Sequence, residues 1–154
     1  MARYGKVSEE TLELVDKIVS ELNYENYMNI EAVSIAKQKQ LIKVSRDSAM
    51  TEFKLDRPFT VTICIYEEAF DRLDDRQKEI LLRDAINQIT YDSEKDKITI
   101  GCPQITVSID GRAKWGEELI DAAECAVHVM ASIEEEEKER KRAEKEAKKS
   151  KKNK

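Results

Sequence analysis

Between Ser8 and Asn23 apolar residues recur at Leu12, Val15, Ile18, Val19 and Leu22, the spacing of one helix face. Ser8, followed by Glu10 and Thr11, supplies an N-cap for a helix over 8–23. Asn23-Tyr24-Glu25-Asn26 breaks that pattern. Residues 30–36 and 41–46 read as strands joined by the polar turn Lys37-Gln38-Lys39-Gln40. Residues 48–55 are ambiguous and fit one helical turn. From Phe59 to Tyr66, Val61, Ile63 and Ile65 alternate with Thr60, Thr62 and Cys64. Both sets tolerate burial, which predicts a central strand. A short helix over 67–73 follows, then a helix over about 75–90 capped by Asp74 or Asp75. In that second helix Leu82 widens the stripe of Ile80, Leu81, Ala85, Ile86 and Ile89, so it is expected to pack on more than one side.

Tyr91 to Lys97 reads as a polar loop. Two short strands, 97–100 and 105–109, are expected around Gly101-Cys102-Pro103, with a turn at Asp110-Gly111. From about residue 115 a helix carries Leu119, Ile120, Ala123, Ala126, Val127, Met130 and Ile133 on one face. The apolar stripe ends there. Helix-forming Glu, Lys, Arg and Ala continue to Lys149, and only Lys151 onward is expected to be loose. Glu134–Lys138, Glu137–Lys141 and Glu144–Lys148 have the i,i+4 spacing of favourable ion pairs. The predicted organisation is one α+β domain over 1–133, with a short mixed or antiparallel sheet packed on helices, and a long charged C-terminal helix over 134–154.

Charge changes this picture. Charged residues make up 38% of the chain, against about 25% in an average globular protein. Residues 134–154 hold ten Lys/Arg and seven Glu, a net of +3; residues 1–133 hold 17 Lys/Arg and 25 Asp/Glu, a net of −8. An acidic body disfavours nonspecific nucleic-acid binding across its surface. No apolar run reaches the roughly 18 residues of a membrane span, so no membrane partner is expected. The N-terminus shows no signal-peptide core. Cys64, Cys102 and Cys125 are odd in number, lack CxxC spacing and lie in apolar stretches, which predicts free thiols in a reducing compartment.

The stretch from Phe59 to Trp115 carries a resemblance. Thr60-Val61-Thr62-Ile63-Cys64-Ile65 is followed by Tyr66-Glu67-Glu68-Ala69-Phe70, Leu73, Gln77-Lys78, Leu81-Leu82-Arg83 and Tyr91-Asp92-Ser93-Glu94-Lys95-Asp96-Lys97. In the order and spacing of these pieces it resembles the putative phage metallopeptidase family, a compact zincin-like group. The resemblance implies a zincin-like α+β domain, a phage origin, and residence in the host cytoplasm or the virion rather than secretion. In the family, HExxH follows Leu-Leu-Arg. That chemistry needs two histidines one turn apart on a zinc, and a glutamate to take a proton from the bound water. Here the matching positions read Asp84-Ala85-Ile86-Asn87-Gln88, and Cys102-Pro103-Gln104 stands near the third ligand. Asp84, Ala85 and Gln88 are vestigial motif positions: Gln88 is a poor ligand and Ala85 cannot be a base. With a single histidine in the whole chain, a two-histidine zinc site cannot be built whether or not the resemblance holds. No cofactor and no metal are expected.

Other features admit two roles each. His128, three residues after Cys125, is a general-base candidate or a helix-surface histidine. The acidic group Asp71, Asp74, Asp75 and Glu79 caps helices or binds a cation, without the glycine of a calcium loop. Nothing matches a phosphate-binding loop. Trp115 is expected to anchor the last helix on the sheet, or else to bind a partner. Lys148, Lys149, Lys151, Lys152 and Lys154 either end a solvated helix or form an interaction arm for phosphates or an acidic neighbour. The expectation is a noncatalytic structural or interaction protein in particle assembly, with other protein subunits as partners. Two alternatives stand beside it: a hydrolase with an unrecognised ligand set, and a nucleic-acid-binding regulator that uses the tail.

Overall fold

The computed structural model of the chain describes residues 3–57, 59–101 and 109–152. In chain order its elements are β1 (Tyr4–Lys6), α1 (Glu9–Glu21), a 3-10 turn (Tyr24–Asn26), β2 (Asn29–Ile35), β3 (Ile42–Arg46), α2 (Ala49–Leu55), β4 (Thr60–Ile65), α3 (Glu67–Phe70), α4 (Asp75–Asn87), β5 (Ile89–Asp92), β6 (Lys97–Ile100), α5 (Ile109–Trp115) and α6 (Glu117–Lys152). The architecture is mixed α+β, as the sequence predicts. None of the described helices is long and apolar enough to cross a membrane.

The alternating run around Ile63 becomes the middle of a four-stranded sheet of order β1-β2-β4-β3. β4 pairs parallel with β2 (Ala32 opposite Ile63) and antiparallel with β3 (Val44 opposite Ile63). Val61, Ile63 and Ile65 are fully buried, and so is Thr60 on the other parity of the strand. The helices deliver the matching apolar faces: Val15 and Ile18 from α1, Phe70 from α3, Leu82 and Ile86 from α4, Ala126 and Ile133 from α6. α4 does pack on two sides, because Ile80 leaves this cluster for a second one with Leu119, Ala123 and Trp115.

The caps follow the sequence. The Ser8 hydroxyl accepts from the Thr11 N–H at 3.3 Å. Asp74, the capping residue of α4, forms a reciprocal capping box with Gln77. The turn between α5 and α6 falls on Gly116 at φ +60°, whose N–H closes on the Arg112 carbonyl at 2.8 Å.

Several elements differ from the sequence reading. Residues 48–55 form two helical turns rather than one, begun by the Ser48 cap, yet α2 buries none of its residues and leaves Phe53 86% exposed. β1 is absent from the sequence reading; it is three exposed residues that pair with the end of β2. The α4 helix stops at Asn87, and the expected loop from Tyr91 is part of a hairpin. The Asp92 carboxylate accepts from the Glu94 and Lys95 N–H groups, and Asp96 turns the chain at φ 48°. Ile89 is therefore buried as a strand residue, opposite Ile100. Asp110-Gly111 and Ile109 lie in α5, not in a turn and a strand; residues 105–108 of the expected strand lie outside the described residues. α6 continues through Lys152, past the expected fraying point at Lys151. Its buried face uses Ala122 in place of Val127, which is 54% exposed. Trp115 packs on α4 and α6 rather than on the sheet, since α5 ends one residue before the turn into α6.

Core and surface positions of similar size are expected to separate sharply. Ile86→Ala lowers unfolding free energy by about 2–5 kcal/mol, whereas Phe53→Ser changes it by less than about 0.5 kcal/mol. Urea denaturation monitored by far-ultraviolet circular dichroism reads both.

Candidate functional site

Asp84, Ala85 and Gln88, the expected vestigial motif positions, are taken up by structural contacts. Asp84 is 8% exposed on α4, and its carboxylate lies directly against Gly111 of α5. A Cβ placed on Gly111 would fall 1.8 Å from Asp84 Oδ1 and 2.8 Å from Leu119 Cδ2. Gln88 closes the end of α4: its Nε2 donates to the Asp84 carbonyl at 3.3 Å, and its own carbonyl accepts from the Gly101 N–H at 2.8 Å. Ala85 sits between them, half-buried. One carboxylate packed on a backbone, one methyl and one side-chain amide bonded to the Asp84 carbonyl do not fit a zinc centre. No step of zinc hydrolysis can be routed through them. Among the described residues no three His, Cys, Asp or Glu side chains converge on a point that could hold a metal. Cys102 lies outside the described residues. Cys64 is buried and Cys125 half-buried, both as free thiols, and burial pushes the Cys64 thiol up from its ordinary value. His128 stands exposed on α6, with its carbonyl accepting from Ser132.

The C-terminal helix is built differently in its two halves. From Leu119 to Ile133 it is held by apolar packing. Ion pairs then fasten it at each end of that stretch. Arg76 reaches Glu118 at 2.8 Å, Arg72 grips Glu136 with two bonds of 3.0 Å, and Lys37 meets Glu137 at 3.1 Å. Glu137 thus makes its close pair with Lys37 of the body, with weaker attraction from the expected partner Lys141 and from Arg140. Beyond it every residue from 138 to 148 is exposed. Among the described residues no ion pair or hydrogen bond joins 138–146 to the body. The unbroken helix runs on to Lys152, so the fifteen residues from Lys138 extend about 22 Å along its axis.

Residues 138–152 hold nine Lys/Arg and three Glu, a net of +6. Lys138, Lys141, Arg142, Lys145 and Lys148 follow 3- and 4-residue steps, which places them on one helix face. Lys149 and Lys152 continue that spacing, and Arg140 and Lys151 fall off it. Lys138, Lys141, Arg142 and Lys145 thus extend the row beyond the last lysines expected from the sequence. Trp115, the other binding candidate, is half-buried with Lys114 Nζ 4.8 Å over its ring, and lies away from this arm in the packing of α4 against α6.

The opposite charge is concentrated elsewhere. α1 carries five acidic residues and one basic; residues 67–79 carry six acidic and three basic. Together they hold −7 of the body's −8. The two segments border a cleft of about 300 Å³ lined by Glu10, Glu13, Asp75 and Glu79, with Lys17 and Lys78 on its walls and Phe70 at its base. Crowding of like charge is visible at Asp71, whose carboxyl is pushed up by burial and then by Glu67 and Glu10, against the pull of Lys78. Glu67 goes the other way. Burial raises it, but the Ser8 N–H at 2.6 Å and hydroxyls of Ser8, Ser34 and Thr11 outweigh that and hold it below its ordinary 4.5.

Comparison of the chain with protein-family models, with curated proteins and with solved structures finds no match.

Two outcomes follow from these contacts. Gly111→Ala destabilises by about 1–3 kcal/mol; in the pair with Asp84→Ala the loss falls short of the sum of the single changes by more than about 0.5 kcal/mol. A double-mutant cycle from thermal or urea melts measures it. Glu67 has a folded-state pKa below its unfolded value, so its contribution is present at neutral pH and lost as pH falls below 4.5. Glu67→Gln is therefore less stable than the parent at pH 7, and the gap narrows by pH 3, read from urea midpoints at both.

Proposed function

We propose that this chain is a structural or interaction protein rather than an enzyme, and that it acts by presenting the basic arm of α6 to an acidic partner within an assembly. One observation carries this: an unbroken helix, clamped by Glu136 and Glu137, projects a one-sided row of cations beyond the body. Solvated helices need no such sorting of charge, because mixed i,i+4 pairing would stabilise them better. The resemblance to phage metallopeptidases supports a zincin-like scaffold emptied of its catalytic set. It also supports a place in phage particle assembly, in the host cytoplasm or the virion. The structural contacts of Asp84 and Gln88 support the noncatalytic reading, since both side chains have a packing role without chemistry.

The same cation row favours a second reading, a nucleic-acid-binding regulator. Phosphates are spaced along a groove that a basic helix can follow. Against it stand the net −8 of the body and the lack of aromatic residues in the arm for base stacking.

The test uses the full chain and a variant with Lys138, Lys141, Arg142, Lys145 and Lys148 changed to Gln. The parent is expected to bind an immobilised acidic polypeptide at low salt, and the variant to bind at least about tenfold more weakly, since exposed pairs contribute up to about 1 kcal/mol each. Equal retention of both proteins overturns the proposal. Duplex DNA bound more tightly than the acidic polypeptide, with a slope near −4 in log affinity against log salt, selects the regulator. Stoichiometric bound transition metal, or hydrolysis lost on changing Asp84, Cys102 or His128, restores the enzyme.

A further inference from the structure

The arm and the acidic face complement each other within one sequence, +6 over 138–152 against −7 over α1 and residues 67–79. The arm cannot reach that face on its own body. α6 is one helix from Glu117 to Lys152, with neither Pro nor Gly to kink it. Among the described residues its last ion pairs with the body are those of Glu136 and Glu137. A rod clamped there leads only away.

We propose that the acidic face formed by α1 and the α3–α4 segment receives the basic arm of a second copy of this chain, so that copies join head to tail. This rests on the reading of the arm as a docking element and names its partner. The complementarity is geometric as well as electrostatic. The cleft between the two acidic segments is large enough for lysine side chains, not for a whole helix, so the arm lies across its mouth. Phe70 at the base gives their methylene stems an apolar floor, as Lys78 already shows with its ammonium 5.9 Å from that ring. The four carboxylates lining the cleft, Glu10, Glu13, Asp75 and Glu79, gain counter-charge that the two lysines there, Lys17 and Lys78, supply only in part. Donor and acceptor surfaces are different, so the contact is heterologous. Repetition gives a ring if the rotation closes and a filament if it does not.

A nucleic acid is the rival occupant of the arm, and the experiment separates the two. Sedimentation velocity on the full chain over a hundredfold concentration range, at low salt, is expected to show mass growing with concentration. At about 0.5 M salt, where screening extends only a few ångströms, the same samples return to monomer. An arm variant with the same five cations changed to Glu, and a face variant with Glu13→Lys, Asp16→Lys and Asp75→Lys, are each expected to stay monomeric alone. Mixed together they associate in pairs, because each restores the other's complement. Circular dichroism confirms that both are folded. A parent that stays monomeric at low salt overturns the self-docking. So does association that survives the face variant, or a mixture that fails to associate. If the parent is monomeric but its arm still binds the acidic polypeptide or duplex DNA, only the self-docking has failed. If the arm binds neither, the reading of it as a docking element fails as well.

Discussion

Burial of β4 sets the terms for everything around it. Val61, Ile63 and Ile65 have no contact with water, and Thr60 on the opposite parity has none either. A strand buried in this way must have neighbours at both edges and apolar surface laid over it. β2 and β3 supply the edges, and α1, α3, α4 and α6 supply the cover. The cover brings a cost in geometry. α6 has to lie where Ala126 and Ile133 can reach the core, so the direction in which its charged half leaves the body is fixed by packing and not by the arm itself.

The parts of this fold that were legible in the sequence are those where one residue pattern has one physical reading. The alternation from Thr60 to Ile65, the Ser8 and Asp74 caps and the stripe ending at Ile133 all belong here. What was not legible depends on partners distant in sequence. β1 exists because β2 offers Val33, Ser34 and Ile35 to pair with. The β5–β6 hairpin is decided by the Asp92 carboxylate folding back on its own backbone, which overrides a helical run that could have continued to Thr90. α5 contains the Asp110-Gly111 dipeptide, which reads locally as a turn. Gly111 is small there for another reason, the closeness of Asp84.

The candidate site divides along the same line. The residue types at Ala85 and Gln88 are legible from the sequence alone, and neither is one that zinc sites ordinarily use. Charge sorting could have been read too, since the 3- and 4-residue steps of Lys138, Lys141, Arg142 and Lys145 are in the sequence. The acidic counterpart could not. Its two halves are α1 and residues 67–79, more than forty residues apart, and only the packing of α1 on α4 sets them side by side around a cleft.

One consequence follows from the continuity of α6. The rod that is pinned by Ile133 inside the protein is the same rod that carries the cations outside it. The compass bearing of those cations relative to the sheet is therefore set by helical twist, about 100° for each residue. Slipping one extra residue in between Glu137 and Lys138 would change neither the charge nor the core. It would nonetheless swing the basic row more than a quarter-circle around the axis, leaving the molecule with the same handle facing the wrong way.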